Sequence, residues 1–154
     1  MAVPELRSEP FDSPAAKALI EMVQQEYVER YGGPDETVLD PRDFAHPNGG
    51  FIVLYLEGEA AACGGWRRLA AFPHAAEIKR MFVVSAYRRR GLARYVLVAL
   101  EDAARAAGLT EMWLETGDRQ PEALQLYLSE GYEPIDGYGH YAHAPLARSL
   151  GKKL

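Results

Sequence analysis

The sequence predicts one α+β (mixed α/β) domain spanning residues 1–154, with a central mixed, mostly antiparallel sheet flanked by helices. Apolar, β-branched runs come first as a hairpin over residues 51–69. They then alternate with helical segments from residue 77 onward, an order that layer rules resolve into a mixed sheet covered by helices. Residues 14–27 and 92–107 carry apolar side chains at the three- and four-residue spacing of an amphipathic helix. A hydrophobic fraction of 48% and a charged fraction of 25% over 154 residues suit one domain that buries its own core.

The elements follow in order. Asp12 or Ser13 can cap a first helix with Pro14 in its first turn, and Ala16, Leu19, Ile20, Val23 and Tyr27 form its apolar face. Gly32-Gly33-Pro34 ends it. Residues 34–50, rich in Pro, Asp and Gly, read as a loop with one helical turn near 41–45. Residues 51–56 and 60–69 form strands about a Glu57-Gly58-Glu59 turn. Phe72-Pro73-His74 reads as a connection, residues 77–84 as a third strand and 92–107 as the long helix ending at Gly108. A strand at 111–116 precedes a helix that starts at Pro121 and stops at Gly131, and 132–135 and 148–154 supply the last strands.

Composition excludes several classes. A formal charge of −5 leaves no general basic face for nucleic acid, so no nucleic-acid partner is expected. The N-terminus has no apolar leader, and no run approaches a membrane span; the expectation is a cytoplasmic chain with no membrane partner. A single cysteine, Cys63, gives neither a disulfide framework nor a zinc pattern, and no metal is expected.

The chemistry concentrates at Arg88-Arg89-Arg90-Gly91-Leu92-Ala93-Arg94, between the third strand and the long helix. A strand feeding a Gly turn that opens a helix leaves backbone N–H groups unpaired at the positive end of the helix dipole. Surrounded by four arginines, such a turn binds an anion, best a phosphate or pyrophosphate. Gly91 lets the backbone approach the ligand, and Ala93 keeps the helix start uncluttered. The alternative for the arginine side chains is plain solubility.

The pattern Arg88-x-x-Gly91-x-Ala93 resembles the Gln/Arg-x-x-Gly-x-Gly/Ala signature of the GNAT family of N-acetyltransferases. Glu77-Ile78-Lys79-Arg80-Met81-Phe82-Val83 is similar to the strand before that signature. The segment from Pro121 through Leu126-Tyr127 to Gly131-Tyr132 is similar to a later family motif. The resemblance spans about residues 51–135. It implies a GNAT-like acyl-CoA N-acyltransferase fold, acetyl-CoA as cosubstrate, and acetyl transfer to a primary amine by direct attack in a ternary complex. It places the pyrophosphate on the backbone of the loop from Arg88 to Arg94, and the pantetheine arm along Met81, Phe82 and Val83. A backbone N–H of that strand polarises the thioester carbonyl. Gln120 stands where many relatives carry an Asn that contacts pantetheine. Dimers are common among relatives, so a homodimer is open.

Amine attack requires a base, and thiolate departure an acid. Glu77, fourteen residues before Gly91, occupies the register of the base in one branch of the family; the alternative is a strand-end carboxylate paired with Lys79 or Arg80. Tyr127 occupies the position that often carries the acid; the alternative is a core tyrosine. Cys63 has no evident His partner and reads as a buried, inert thiol. Tyr138, His140 and Tyr141 are candidates for the acceptor pocket, against a loop merely anchored by aromatics. The small size of the chain favours a small-molecule amine. A protein N-terminal or lysine acetyltransferase, or a non-catalytic acyl-CoA-binding sensor, are the alternatives.

Overall fold

Ser13 starts the first helix. Its hydroxyl accepts the Ala16 N–H at 3.1 Å, Pro14 takes the first position, and Gly32, at φ 82°, closes α1 (Pro14–Tyr31) with an N–H bond to Val28. In the computed structural model, which describes residues 3–154, this helix lies on one face of a seven-stranded sheet. The strands are β1 (Glu5–Ser8), β2 (Gly49–Leu56), β3 (Glu59–Leu69), β4 (Phe72–Val83), β5 (Glu111–Gly117), β6 (Glu133–Pro134) and β7 (Ala147–Lys153), in the order β1-β2-β3-β4-β5-β7-β6. Every neighbouring pair is antiparallel except β4 and β5, which are parallel and joined through α2 (Leu92–Ala106). The helix α3 (Pro121–Ser129) follows β5, and a 3-10 turn, Pro41–Phe44, fills the loop before β2. Among the described residues, no helix is long and apolar enough to cross a membrane.

The hairpin turn is tighter than expected: Glu57 and Gly58 alone form it, both at positive φ (52° and 82°), the geometry that follows the twist of the flanking strands. Two readings need correction. β4 begins at Phe72, so Phe72-Pro73-His74 is strand and the connection shrinks to Ala70-Ala71. Pro73 is tolerated because the register with β3 shifts there, from Leu69↔Phe72 to Arg68↔Ala76, and no ladder N–H is needed at that position. β1 has no counterpart among the expected elements. All four of its residues are exposed, so it carries no alternating apolar signal and depends on the β2 edge for its pairing.

Both faces of the central strands are buried. Ile52, Leu54, Ala62, Ile78 and Leu114 pack with Val96, Leu97 and Leu100 of α2, whereas Phe51, Val53 and Cys63 pack with Ala16 and Leu19 of α1. This is why residues 51–56 read as a continuous apolar run and not as an alternation. The small residues of β3 set the distance between layers. A Cβ on Gly64 would lie 2.7 Å from Met81 Sδ and 2.9 Å from Leu100 Cδ1; on Gly65 it would meet the Phe44 and Phe51 rings. Gly64→Val therefore overpacks the α2 face and should cost about 1–3 kcal/mol in denaturant unfolding. An unchanged midpoint would contradict this packing.

Candidate active site

The site begins with one extra residue in β4. Between the pairs Cys63↔Phe82 and Gly65↔Lys79, β4 advances three positions and β3 only two, and Arg80 absorbs the difference at φ 60°. Beyond this bulge the alternation resets. Lys79 and Arg80 both extend toward the α1 side, while Met81 turns to the α2 side beside Gly64.

Parallel pairing between β4 and β5 stops at Ile78↔Leu114, although β4 runs on to Val83 and β5 to Gly117. The strands splay, leaving a narrow cleft of about 60 Å³ touched by Lys79, Met81, Glu115, Gln120 and Tyr127. It opens toward a larger cleft of about 410 Å³ between the end of α1, residues 33–36, the end of β5 and residues 141–147. Lys79, Glu115 and Gln120 belong to both.

Asp35 ties the walls together. One carboxylate oxygen meets Lys79 Nζ at 2.9 Å and the Arg80 guanidinium; the other accepts the Tyr141 hydroxyl at 3.0 Å. Burial opposes ionisation of Asp35, but Lys79 and Arg80 outweigh it and hold its carboxyl well below the usual range. The Tyr141 hydroxyl also accepts the Glu36 N–H at 2.8 Å, joining the loop after α1 to the loop before β7.

Glu77 is 2% exposed. Its partner is neither Lys79 nor Arg80 but Arg67, directly opposite on β3, at 3.1 and 3.0 Å; the second oxygen accepts the Tyr138 hydroxyl at 2.7 Å. Lys79 and Arg80 are drawn away to Asp35 by the bulge. Tyr138 is thus a half-buried anchor against Trp113 and Glu77, while His140 is exposed and packs edge-on against Tyr141.

Glu115 was missed by the sequence reading. It lies on β5 just past the last β4 pair, accepts the Tyr141 N–H at 3.2 Å, and has no cation at ion-pair distance among the described residues. Burial raises its pKa, with the Glu77 charge adding to that and Lys79 opposing it. The loop backbone approaches it at Gly139, where a Cβ would sit 2.5 Å from Glu115 Oε1. The alternation Met112, Leu114 buried against Trp113, Glu115 half-buried was the available signal. Tyr127 lies at the inner end of the narrow cleft, and burial alone pushes its phenol up.

In the loop before α2 the N–H groups of Arg89, Arg90 and Gly91 have no backbone acceptor among the described residues. Among the described residues no side chain caps the helix, and Arg89 and Gly91 sit at positive φ, 65° and 75°. Of the four arginines, Arg88 bonds the Val83 carbonyl at 2.9 Å and Glu26 at 2.6 Å, and Arg94 pairs with Glu130. These two brace the loop. Arg89 and Arg90 are exposed, Arg90 lying over the Tyr87 ring, and Leu92 buries its side chain as the helix anchor.

Comparison with known proteins matches this geometry to a family. The acetyltransferase (GNAT) family description matches residues 16–132. An "IAA acetyltransferase" of Azospirillum brasilense is 32% identical over 93% of this chain and 95% of its own length. The chain belongs to the GNAT acetyltransferase family. It is an acetyl-CoA-dependent N-acetyltransferase by that membership. A Klebsiella pneumoniae structure described as an acyl-CoA N-acyltransferase superposes with a TM-score of 0.82 at 25% identity, covering 99% of this chain and 98% of that one. An Elizabethkingia anophelis GNAT acetyltransferase with acetyl-CoA bound gives 0.70 at 14% identity, with 98% of each chain covered, a likeness of fold.

Asp35 offers a direct test of this acetyltransferase's cross-brace. Its folded-state pKa lies below its unfolded one, so its stabilisation is complete at neutral pH, starts to fade near the unfolded value of about 3.9 and is lost as pH falls through the lower folded value. Asp35→Asn leaves two buried cations unpaired and should cost about 3–5 kcal/mol at pH 7. The gap to the parent, measured by denaturant unfolding, should narrow below about pH 4.

Proposed function

We propose that this enzyme transfers the acetyl group of acetyl-CoA to the primary amine of a small molecule by direct attack in a ternary complex. The observation that carries the reading is that Glu115 and Tyr127 meet across one opening: Glu115 lines both clefts, and Tyr127 the inner one. Acetyl-CoA supplies a thioester, an activated acyl group. The residues present fit it. Past Ile78 the inner edge of β4 is unpaired by β5, an edge along which pantetheine amides find backbone partners, with Met81, Phe82 and Val83 on that strand. The N–H groups from Arg89 to the first turn of α2, with the exposed Arg89 and Arg90, suit a pyrophosphate. Gln120, whose side-chain oxygen lies 3.4 Å from the Tyr31 hydroxyl, stands between the two clefts.

Glu115 is the base in this reading. Its raised pKa brings it nearer to working pH, and it lines the acceptor cleft. Glu77 is a positioning residue: it holds Tyr138, hence the loop whose Tyr141 N–H binds Glu115, and its charge keeps the Glu115 pKa up. Tyr127 keeps its proton at neutral pH and donates it to the departing thiolate. Cys63 takes no part, since burial raises its thiol pKa and its Sγ donates to the Arg80 carbonyl at 3.3 Å. The Tyr141 bridge encloses one end of the acceptor cleft, which favours a small molecule over a protein chain.

pH–rate profiles test these roles. Glu115→Gln should lower kcat/KM by about 10²-fold or more and remove its acid limb. Glu77→Gln removes a like charge from beside Glu115, so the acid limb should persist and move to lower pH. If Glu77→Gln abolishes the acid limb and Glu115→Gln leaves it, the base is Glu77. Tyr127→Phe should reduce kcat by about tenfold or more while the Kd for acetyl-CoA stays put; weakened coenzyme binding would instead mean a packing role.

A further inference from the structure

The acceptor cleft has a chemical character that narrows the amine further. Along α1, Tyr27 and Tyr31 are one turn apart and present their rings on the same side; across the cleft stand Pro145 and Leu146, with Tyr141 at its end. Its charges are nearly all spoken for. Asp35 is shared between Lys79, Arg80 and the Tyr141 hydroxyl, and Glu36 is exposed at the rim. Among the described residues that leaves one inward carboxylate without a cationic partner, Glu115.

We infer that the acceptor is a compact monoamine whose nitrogen is held at Glu115 and whose body is aryl or alkyl. This rests on reading the larger cleft as the acceptor site. A polyamine would need several free carboxylates along the cleft. An amino acid's carboxylate would have to share Lys79 and Arg80 with Asp35, to which both already donate. Against them, an apolar body gains from every methylene it buries beside Tyr27, Tyr31 and Leu146. A volume of about 410 Å³ lies in the range of small-molecule sites.

Titration calorimetry with 2-phenylethylamine, spermidine and glycine, followed by thiol release with acetyl-CoA, tests the inference separately from the transfer reaction. 2-Phenylethylamine should bind about tenfold more tightly than either alternative. Leu146→Asn, a substitution at an already exposed position, should weaken 2-phenylethylamine by about fivefold and leave spermidine unchanged. Equal or tighter binding of spermidine or glycine would overturn the inference and leave the acetyltransferase reading intact. Binding of 2-phenylethylamine in the expected order without thiol release would support the assigned ligand class and overturn transfer to it.

Discussion

One inserted residue organises this molecule. Because β4 carries the Arg80 bulge, the strand bends and its side-chain alternation resets in the middle of the sheet. Two further features coincide with it: β5 parts from β4 after Leu114, and two consecutive cations reach the same face. An unpaired strand edge inside a fold is costly unless something bonds to it. Here the parting creates an inner and an outer cleft and places Glu115 where they meet; the proposed function assigns the first to the coenzyme arm and the second to the acceptor.

The same bulge demands compensation. Lys79 and Arg80 are 6% and 4% exposed, and such charges persist only when paired. Asp35 supplies the pair from a loop distant in sequence, and Tyr141 links that loop to the one before β7. The charge network that makes the bulge tolerable is therefore also the frame of the larger cleft. Glu77 plays a parallel part on the neighbouring register, held by Arg67 and holding Tyr138.

What was legible in the chain was local. The Gly91 turn, the Ser13 cap, the two long helices and the central strands each carry their cause within a few residues of themselves, as does the alternation that buries Met112 and Leu114. β1 was not legible because its four residues are all exposed and only the partner strand defines it. Pro73 concealed the true start of β4, since a proline reads as a break unless the bulge opposite it is known. The partners of Glu77 and Arg88 were equally hidden. Spacing along β4 suggested Lys79 or Arg80 for the first, whereas the cross-strand register gives Arg67; Arg88 ties its loop to Glu26 on α1, 62 positions away. Glu115 escaped for the same reason: its importance comes from where β4 stops pairing, not from its neighbours in sequence.

Under the proposed function, the strand edge opened past Ile78 and the start of α2 form one continuous coenzyme track. Hydrogen–deuterium exchange with and without acetyl-CoA reads it directly, because amides without a protein acceptor exchange quickly until a ligand bonds them. The predicted result is slowed exchange on addition of acetyl-CoA at residues 79–83 and 89–94, with little change in β1, β2 and β7. Unchanged exchange at both segments under saturating acetyl-CoA, or protection appearing only elsewhere in the sheet, would contradict it.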